Sequence, residues 1–509
     1  MIRSATTSTL TRPPVIRPAS AVKPAKPSRW IWVPFIWLFF ASTRTMSTWL
    51  LWDKQIGSAS RLDMSGNFTD QVLMTSLIAL GLYVLGARAM QTRKILAKNK
   101  WVVALFIYMA FSVVWSNFPG MSFRRDIRST GALVMVLVVL TERDPLEAVR
   151  VLLRSLFIVH IPLSVLTIKF FRNIGVYYNW SGLEEQWMGL SVDKNSLGQV
   201  AMCSGLFWLW QILRDWPKKK LTVSLVFLGM SLWLLRGSKT VHSSAGILGF
   251  IVCSVLLLCL QPLRRSAGRA KRIILTVTVV AVLLAPLAYL VFDTFNTTPA
   301  QAVLQASGRD ATLTDRTLLW ADLLNNAAKN PVLGVGIGAF WVGPIGYEMY
   351  PLPNWSRKTP QWRPEEGHNG FLDVYVELGA IGLVLLLIVI GVGVAGALDD
   401  LQSEFQLGIL RLTLMLAILM NNIAETSFLK GTHDLWFFFL LVSVNIPRPK
   451  RRSSLAKRVT SSDTRSGEDE LLLHTKEAPS FPVLKNPEDS PALDKSLVHW
   501  RAMPSVGNL

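Results

Sequence analysis

The chain has 509 residues, 51% of them hydrophobic, and a formal net charge of +20. A soluble chain of this length would divide into several domains with alternating polar and apolar patterns. Here the apolar residues instead fall into blocks of about 16–24 residues with few charges, close to the length a spanning helix needs.

The charge invites a nucleic-acid reading, and its location removes it. The first 29 residues carry six basic residues and no acid (Arg3, Arg12, Arg17, Lys23, Lys26, Arg29), and six more follow the last apolar block (Arg448, Lys450, Arg451, Arg452, Lys457, Arg458). Most of the others cap apolar blocks, where Lys and Arg set topology. Residues 1–29 are polar and Pro-rich with no small-residue cleavage site, so they read as a disordered cytoplasmic tail rather than a signal peptide.

The pattern predicts about twelve spans within a transmembrane domain, 30–447. They lie near 30–51, 71–88, 101–116, 129–141, 150–168, 196–213, 221–236, 244–260, 272–292, 372–396, 406–424 and 434–447. The fourth is short and is tilted or borrows from its flanks. Cys203, Cys253 and Cys259 lie inside apolar blocks and form neither a disulfide framework nor a metal site. Residues 448–509 are Ser- and Lys/Glu-rich with scattered Pro, and read as a second disordered cytoplasmic tail.

Basic loops at 88–100, 218–220 and 264–272 fall on one side with both tails. The acidic loop with Asp399, Asp400 and Glu404 is the exception there, and the rule counts mainly Lys and Arg. Three loops fall outside. Residues 117–128 hold Arg124, Arg125 and Arg128, residues 236–243 hold Arg236, Lys239 and His242, and residues 293–371 form one long loop. Basic groups that oppose the topological preference need another reason, and anion binding supplies one. No internal repeat is found, which argues against transporters built from two related halves.

In the long loop, Gly308 to Trp320 reads as a polar turn feeding a helix, with Thr314 as N-cap. Leu319, Leu323 and Leu324 form its apolar stripe and Asn330-Pro331 its end, as in a helix lying along the membrane surface. Arg309 and Arg316 sit at its start, as surface charges or as anion ligands. Gly334, Gly336 and Gly338 are not a dinucleotide fingerprint, since no strand precedes them and the spacing is wrong. They read as a flexible or tightly packed turn. His368 stands at the mouth of a span. Asp373 and Glu377 share a face four residues apart, and carboxylates at the top of a membrane helix face a cavity or a partner. A histidine at the water boundary beside arginines is a candidate for proton transfer. Lys194 and Asn195 open the sixth span, Lys239 joins the seventh to the eighth, Asn369 follows His368, and Glu425 closes the eleventh.

At these residues the chain resembles the O-antigen ligase and polysaccharide polymerase family, on its exopolysaccharide-production (ExoQ-like) branch. The resemblance runs from about Trp115 to Asn445. It rests on Trp115-Ser116 with Pro119, Ser122, Arg124 and Arg125; Asp193-Lys194-Asn195 before Leu197-Gly198; Ser238-Lys239-Thr240; Gly308-Arg309-Asp310 with Arg316-Thr317 before Trp320; Asn330-Pro331 with its glycines; His368-Asn369-Gly370-Phe371-Leu372 before Glu377-Leu378-Gly379; and Asn422 with Glu425. Asp193 stands where the family often has His, and Asp315 where it often has Gly.

The resemblance implies an all-α polytopic membrane protein of GT-C-like glycosyltransferase architecture, in the inner membrane with both termini cytoplasmic. It implies an inverting transferase without cofactor or metal. The donor would be a polyprenyl-diphosphate-linked oligosaccharide held in the lipid bilayer. Chain-length regulator and export proteins are further expected partners, and nucleic acid is not. Arg309, Arg316, Arg124 and Arg125 are the expected diphosphate ligands, because guanidinium bonds phosphate with two parallel N–H groups. His368 is expected to accept the proton of the attacking hydroxyl or to orient it, with Lys194, Asn195, Lys239, Asn369 and Glu425 in support. A polymerase, a ligase acting on a lipid acceptor, a transporter of the same lipid-linked sugars and a membrane scaffold remain open.

Overall fold

Most long helices begin where the sequence supplies a cap or a proline. The computed structural model describes residues 25–50, 67–178, 184–216, 221–239, 241–261, 316–358 and 363–447. In chain order the helices are α1 (Trp32–Ser42), α2 (Met46–Leu50), α3 (Phe68–Ala87), α4 (Ala89–Lys98), α5 (Lys100–Ser112), α6 (Pro119–Leu140), α7 (Pro145–Phe170), α8 (Arg172–Gly175), α9 (Lys194–Asp215), α10 (Thr222–Arg236), α11 (Ser244–Leu260), α12 (Arg316–Ala327), α13 (Pro344–Met349), α14 (Pro353–Lys358), α15 (Gly370–Ser403), α16 (Phe405–Ala424) and α17 (Asp434–Ser443). Side chains of Asn67, Asp144, Asp193, Ser243, Asn369 and His433 accept first-turn N–H groups of α3, α7, α9, α11, α15 and α17. These groups would otherwise lack an intrahelical partner. Pro opens α6 and α7 where no N–H is needed.

By length and composition α3, α7, α9, α15 and α16 can cross a membrane, and α4 with α5 makes a sixth if their 90° bend lies within one span. The chain is thus a multi-pass helical membrane protein. Helices fall at every expected span except 272–292, which lies outside the described residues with Arg309 and Thr314. The fourth expected span is the C-terminal part of a longer helix, α6, which begins at Pro119. The expected outer loop 117–128 is mostly the start of α6, so Arg124, Arg125 and Arg128 stand on a helix. Their charges had interrupted the apolar pattern. Likewise the basic loop at 88–100 is largely α4. One short antiparallel hairpin, Val176–Tyr178 with Glu185–Trp187, joins α8 to α9 and was not expected of an all-α chain.

The core gathers on α7, α9, α16 and α17. Phe157, Phe207, Trp208, Trp210, Trp436 and Phe437 are fully buried there. Packing of such rings, rather than water exclusion, holds helices together in lipid. Leu82, Leu225, Val255, Leu258 and Leu387 are exposed on the periphery, an arrangement that lipid tolerates and water does not. At one end, Glu142 accepts from Arg88 at 2.6 Å and from the Ser28 N–H at 2.9 Å. Asp399 and Asp400, expected in an acidic loop, instead lie in the last turns of α15, and Asp400 accepts from Arg411 at 2.5 Å, so its charge is compensated within the bundle.

A second small core forms in the long loop, where Leu319, Leu323, Phe340, Trp341 and Trp355 pack on Val376. Leu324, expected in the same stripe, is exposed. The three glycines form a tight interlock. Gly334, Gly336 and Gly338 adopt φ of 69°, 100° and 63°, and Gly379 breaks α15 at φ 63°. The freed groups pair across, Gly336 N–H to Glu377 O at 2.8 Å and Ala380 N–H to Pro331 O at 2.9 Å. Irregular backbone at membrane depth survives only when satisfied in this way.

A Cβ at Gly379 would lie 2.2 Å from the Val332 carbonyl oxygen. Gly379→Ala therefore combines a left-handed backbone with a backbone clash. It is expected to destabilise by about 3 kcal/mol or more, read as a lower melting temperature and less folded protein in detergent. Ala at Gly391, which faces open space, is the control.

Candidate functional site

The site is assembled around the carboxylate that ends α16. Asn422, fully buried, accepts N–H groups of Ser427 at 2.9 Å and Phe428 at 3.2 Å and so folds the turn that follows Glu425. The Glu425 carbonyl accepts the Gly370 N–H at 3.1 Å, which ties this turn to the start of α15. Asn369 caps α15, accepting from Phe371 and Leu372, both at 3.1 Å. The preceding residue, His368, is thereby held at φ 49°, a conformation uncommon outside glycine.

Glu425 then receives three groups. Arg316 Nη2 donates to Oε1 at 2.9 Å and Asn195 Nδ2 donates to the same oxygen at 3.0 Å. His368 Nδ1 lies 3.1 Å from Oε2 and 3.3 Å from Glu366 Oε1. Arg316 also donates to the Ala424 carbonyl, and Lys430 pairs with Glu366. The chain of contacts runs Arg316, Glu425, His368, Glu366, Lys430, with cations and anions alternating.

Charge states follow from that order. Burial would push the His368 ring down, but its hydrogen bonds to Glu366 and Glu425 and their charges raise it to about 9. At neutral pH the ring is an imidazolium. Burial would push Glu366 up, but Lys430 and His368 hold its carboxyl well below the usual range. Lys430 is raised despite its burial by Glu366 and neighbouring carboxylates.

Beside His368 opens a cavity of about 470 Å³ whose lining includes Arg125, Arg128, Trp341, Asp373, Glu377 and Lys430. The Gly-rich segment shapes one wall. Arg125 donates to Gly338 O at 2.5 Å and Trp341 O at 2.9 Å. Glu377 accepts the Gly338 N–H at 2.9 Å, and Asp373 accepts Trp341 Nε1 at 3.1 Å. Gly431 lets the turn carrying Lys430 touch the α6 backbone, since a Cβ there would lie 2.2 Å from the Arg128 carbonyl carbon.

The residues singled out in the sequence distribute unevenly. His368, Arg316, Asn195 and Glu425 meet in one cluster, and Asn369 holds it from behind. Arg125 lines the cavity. Arg124 stands one position away on α6, its Nε donating to Gly120 O at 3.1 Å. Lys194 opens α9 next to Asn195. Lys239 is exposed near the hairpin. There Glu185, which burial would raise, is held low by Trp187 and Arg172, with Lys239 adding its charge. Arg309 lies outside the described residues. Glu366 and Lys430 were not singled out in the sequence, and Arg128, noted there only among the basic groups of 117–128, lines the cavity. Glu366 adjoins His368 in a run of acids, a signal that was available. Lys430 carries no periodic or motif signal.

Removing one partner of the Arg316–Glu425 pair strands the other, and their side chains are 21% and 7% exposed. That places the cost between exposed and buried pairs. Glu425→Ala is expected to destabilise on the order of 2 kcal/mol and Glu425→Gln less, as measured by thermal melts of the purified protein. Equal, unperturbed melts for both variants would remove Glu425 from its central place.

With this geometry in view, two comparisons bear on the chain. The profile of the O-antigen ligase family matches residues 240–387, a stretch that contains Arg316, His368, Asp373 and Glu377. The exopolysaccharide production protein ExoQ of Rhizobium meliloti (strain 1021) is 25% identical over 330 residues, which cover 61% of this chain and 69% of that protein. These matches agree with the resemblance read from the sequence: residues 240–387 are similar to the O-antigen ligase family, and the chain is similar to an exopolysaccharide production protein.

Proposed function

We propose that this chain is a polysaccharide polymerase, an inverting glycosyltransferase that moves a glycan from polyprenyl diphosphate to the next lipid-linked repeat at the periplasmic face of the inner membrane. The observation that carries this reading is the cluster at Glu425. An imidazolium, an arginine and two carboxylates are gathered from separate segments beside a polar cavity, at the ends of apolar helices. The wider proposal is a GT-C-like arrangement of about twelve spans with both tails cytoplasmic. Chain-length regulator and export proteins would be its partners.

In this mechanism the bond from the anomeric carbon to the diphosphate oxygen breaks as the acceptor oxygen bonds to that carbon from the opposite face. Negative charge grows on the leaving diphosphate. Arg309, Arg316, Arg124 and Arg125 would meet it, each charge-assisted hydrogen bond contributing roughly 1.5–3 kcal/mol. Those that tighten in the transition state accelerate the reaction. The His368 imidazolium adds a further positive group. The His368 ring already holds its proton and cannot take a second, so the acceptor's hydroxyl proton, released as its oxygen bonds to the anomeric carbon, passes to the Glu366 carboxylate on the cavity lining. Among the described residues Glu366, His368 and Glu425 are the grouping with metal-ligand spacing, their donor atoms within 4.8 Å. Arg316 and Lys430 already compensate the two carboxylates, which supports a metal-independent reaction.

A ligase reading is kept alive by the family profile, and polymer length separates the two. A deletion strain is expected to accumulate single lipid-linked repeats, whereas long chains retained on the carrier would mean a ligase. Full polymer in a strain carrying His368→Ala would sink both.

The ring's charge predicts a pH profile. With the group raised to about 9, the imidazolium persists below that pH and is lost above it. The transfer rate of purified protein with lipid-linked repeat is expected to hold through neutral pH and fall as pH passes about 9. A rate that climbs over that interval would assign the ring a neutral, proton-accepting role instead. His368→Ala should cost on the order of 100-fold or more in rate.

A further inference from the structure

Asp373 and Glu377 sit on the cavity wall and have no part in the transfer step as described. We propose that this cavity is the acceptor-sugar subsite of the proposed polymerase, with the Glu377 carboxylate binding hydroxyl groups of a neutral sugar. The proposal rests on the transferase reading and goes further by assigning the cavity to one of the two substrates.

Three observations carry it. The first is size: about 470 Å³ falls in the range of small-molecule sites, roughly 300–1,000 Å³, and suits one or a few sugar rings rather than a lipid tail. The second is charge. The lining holds five carboxylates (Asp193, Glu365, Glu366, Asp373, Glu377) against Arg125, Arg128, Arg363, Lys430 and His368. A polyhydroxylated neutral ligand has the alternating donors and acceptors that mixed lining groups can satisfy. The donor's reacting end carries the diphosphate, so the hydroxyl-bearing acceptor is the substrate that fits. The third is commitment of the lining groups. Lys430 pairs with Glu366 and Arg125 with two carbonyls, which leaves these cations partly spent. Glu377 is half-buried, and its Oε2 accepts the Gly338 N–H. Its position beside His368 in the same lining lets a sugar bound there present a hydroxyl to the cluster.

The test uses full-length purified protein and two probes. One is the repeat-unit oligosaccharide released from its lipid by mild acid, the other polyprenyl diphosphate without sugar. Glu377→Gln keeps an oxygen for the Gly338 N–H but loses the charge. It is expected to bind the oligosaccharide about tenfold more weakly and the sugar-free lipid as wild type does. Thr432→Val, elsewhere on the same lining, should show the same one-sided loss without touching Gly338. Wild-type oligosaccharide affinity in both variants, or a loss confined to the diphosphate probe, overturns the assignment. Equal loss of both probes in variants that melt like wild type overturns it as well. A one-sided loss alongside full polymer production by His368→Ala would leave the sugar subsite standing while the transferase reading falls.

Discussion

A carboxylate buried at the end of a membrane helix has to be met by positive charge and hydrogen bonds, because its desolvation is too costly otherwise. Glu425 imposes that condition on this protein. Its side chain is satisfied only when Arg316 from the long loop, Asn195 from the start of α9 and His368 from the start of α15 arrive together. Segments more than two hundred residues apart in the chain are thereby brought to one point. The His368 imidazolium is a consequence of the same condition. Between two carboxylates the ring keeps its proton, so the charge that a departing diphosphate would meet is built into the resting protein.

The glycine interlock gives this cluster its floor. An unbroken α15 would carry Asp373 and Glu377 on a regular helix with no loop beside them. The break at Gly379 and the left-handed turns at Gly334, Gly336 and Gly338 let two irregular segments satisfy each other's backbone. The product is a wall in which Gly338, Trp341, Asp373 and Glu377 are cross-linked by hydrogen bonds. A polar cavity at the end of a helix bundle needs such a wall, since loosely held carboxylates would reorganise around each ligand instead of selecting one.

The sequence revealed the positions of the apolar helices and singled out Arg316, Asn195, His368 and Glu425, because both leave local marks: long apolar blocks, and polar groups stranded at their ends. The extent of α6 was hidden because Arg124, Arg125 and Arg128 interrupt its pattern. The hairpin of three-residue strands was too short to show a period. Pairing was the deeper loss. Arg316 read as a surface charge or a phosphate ligand, and its engagement with Glu425 and the Ala424 carbonyl depends on a contact across more than a hundred residues. Lys430 lies between α16 and α17 in a turn whose close approach to Arg128 depends on Gly431. No local spacing encodes that approach.

The pairing also changes what the arginine can be asked to do. A guanidinium already bound to Glu425 can still turn remaining N–H groups toward a phosphate, since it carries five. It would do so as part of a fixed network, at little entropic cost. A free surface arginine would have to be ordered by each substrate. Under the proposed function this favours the transition state, because donors fixed in advance need not reorganise as charge develops. The alternation of Arg316, Glu425, His368, Glu366 and Lys430 then has a reason beyond stability. It keeps positive groups in place where, without their carboxylates, burial alone would push the imidazole toward its neutral form.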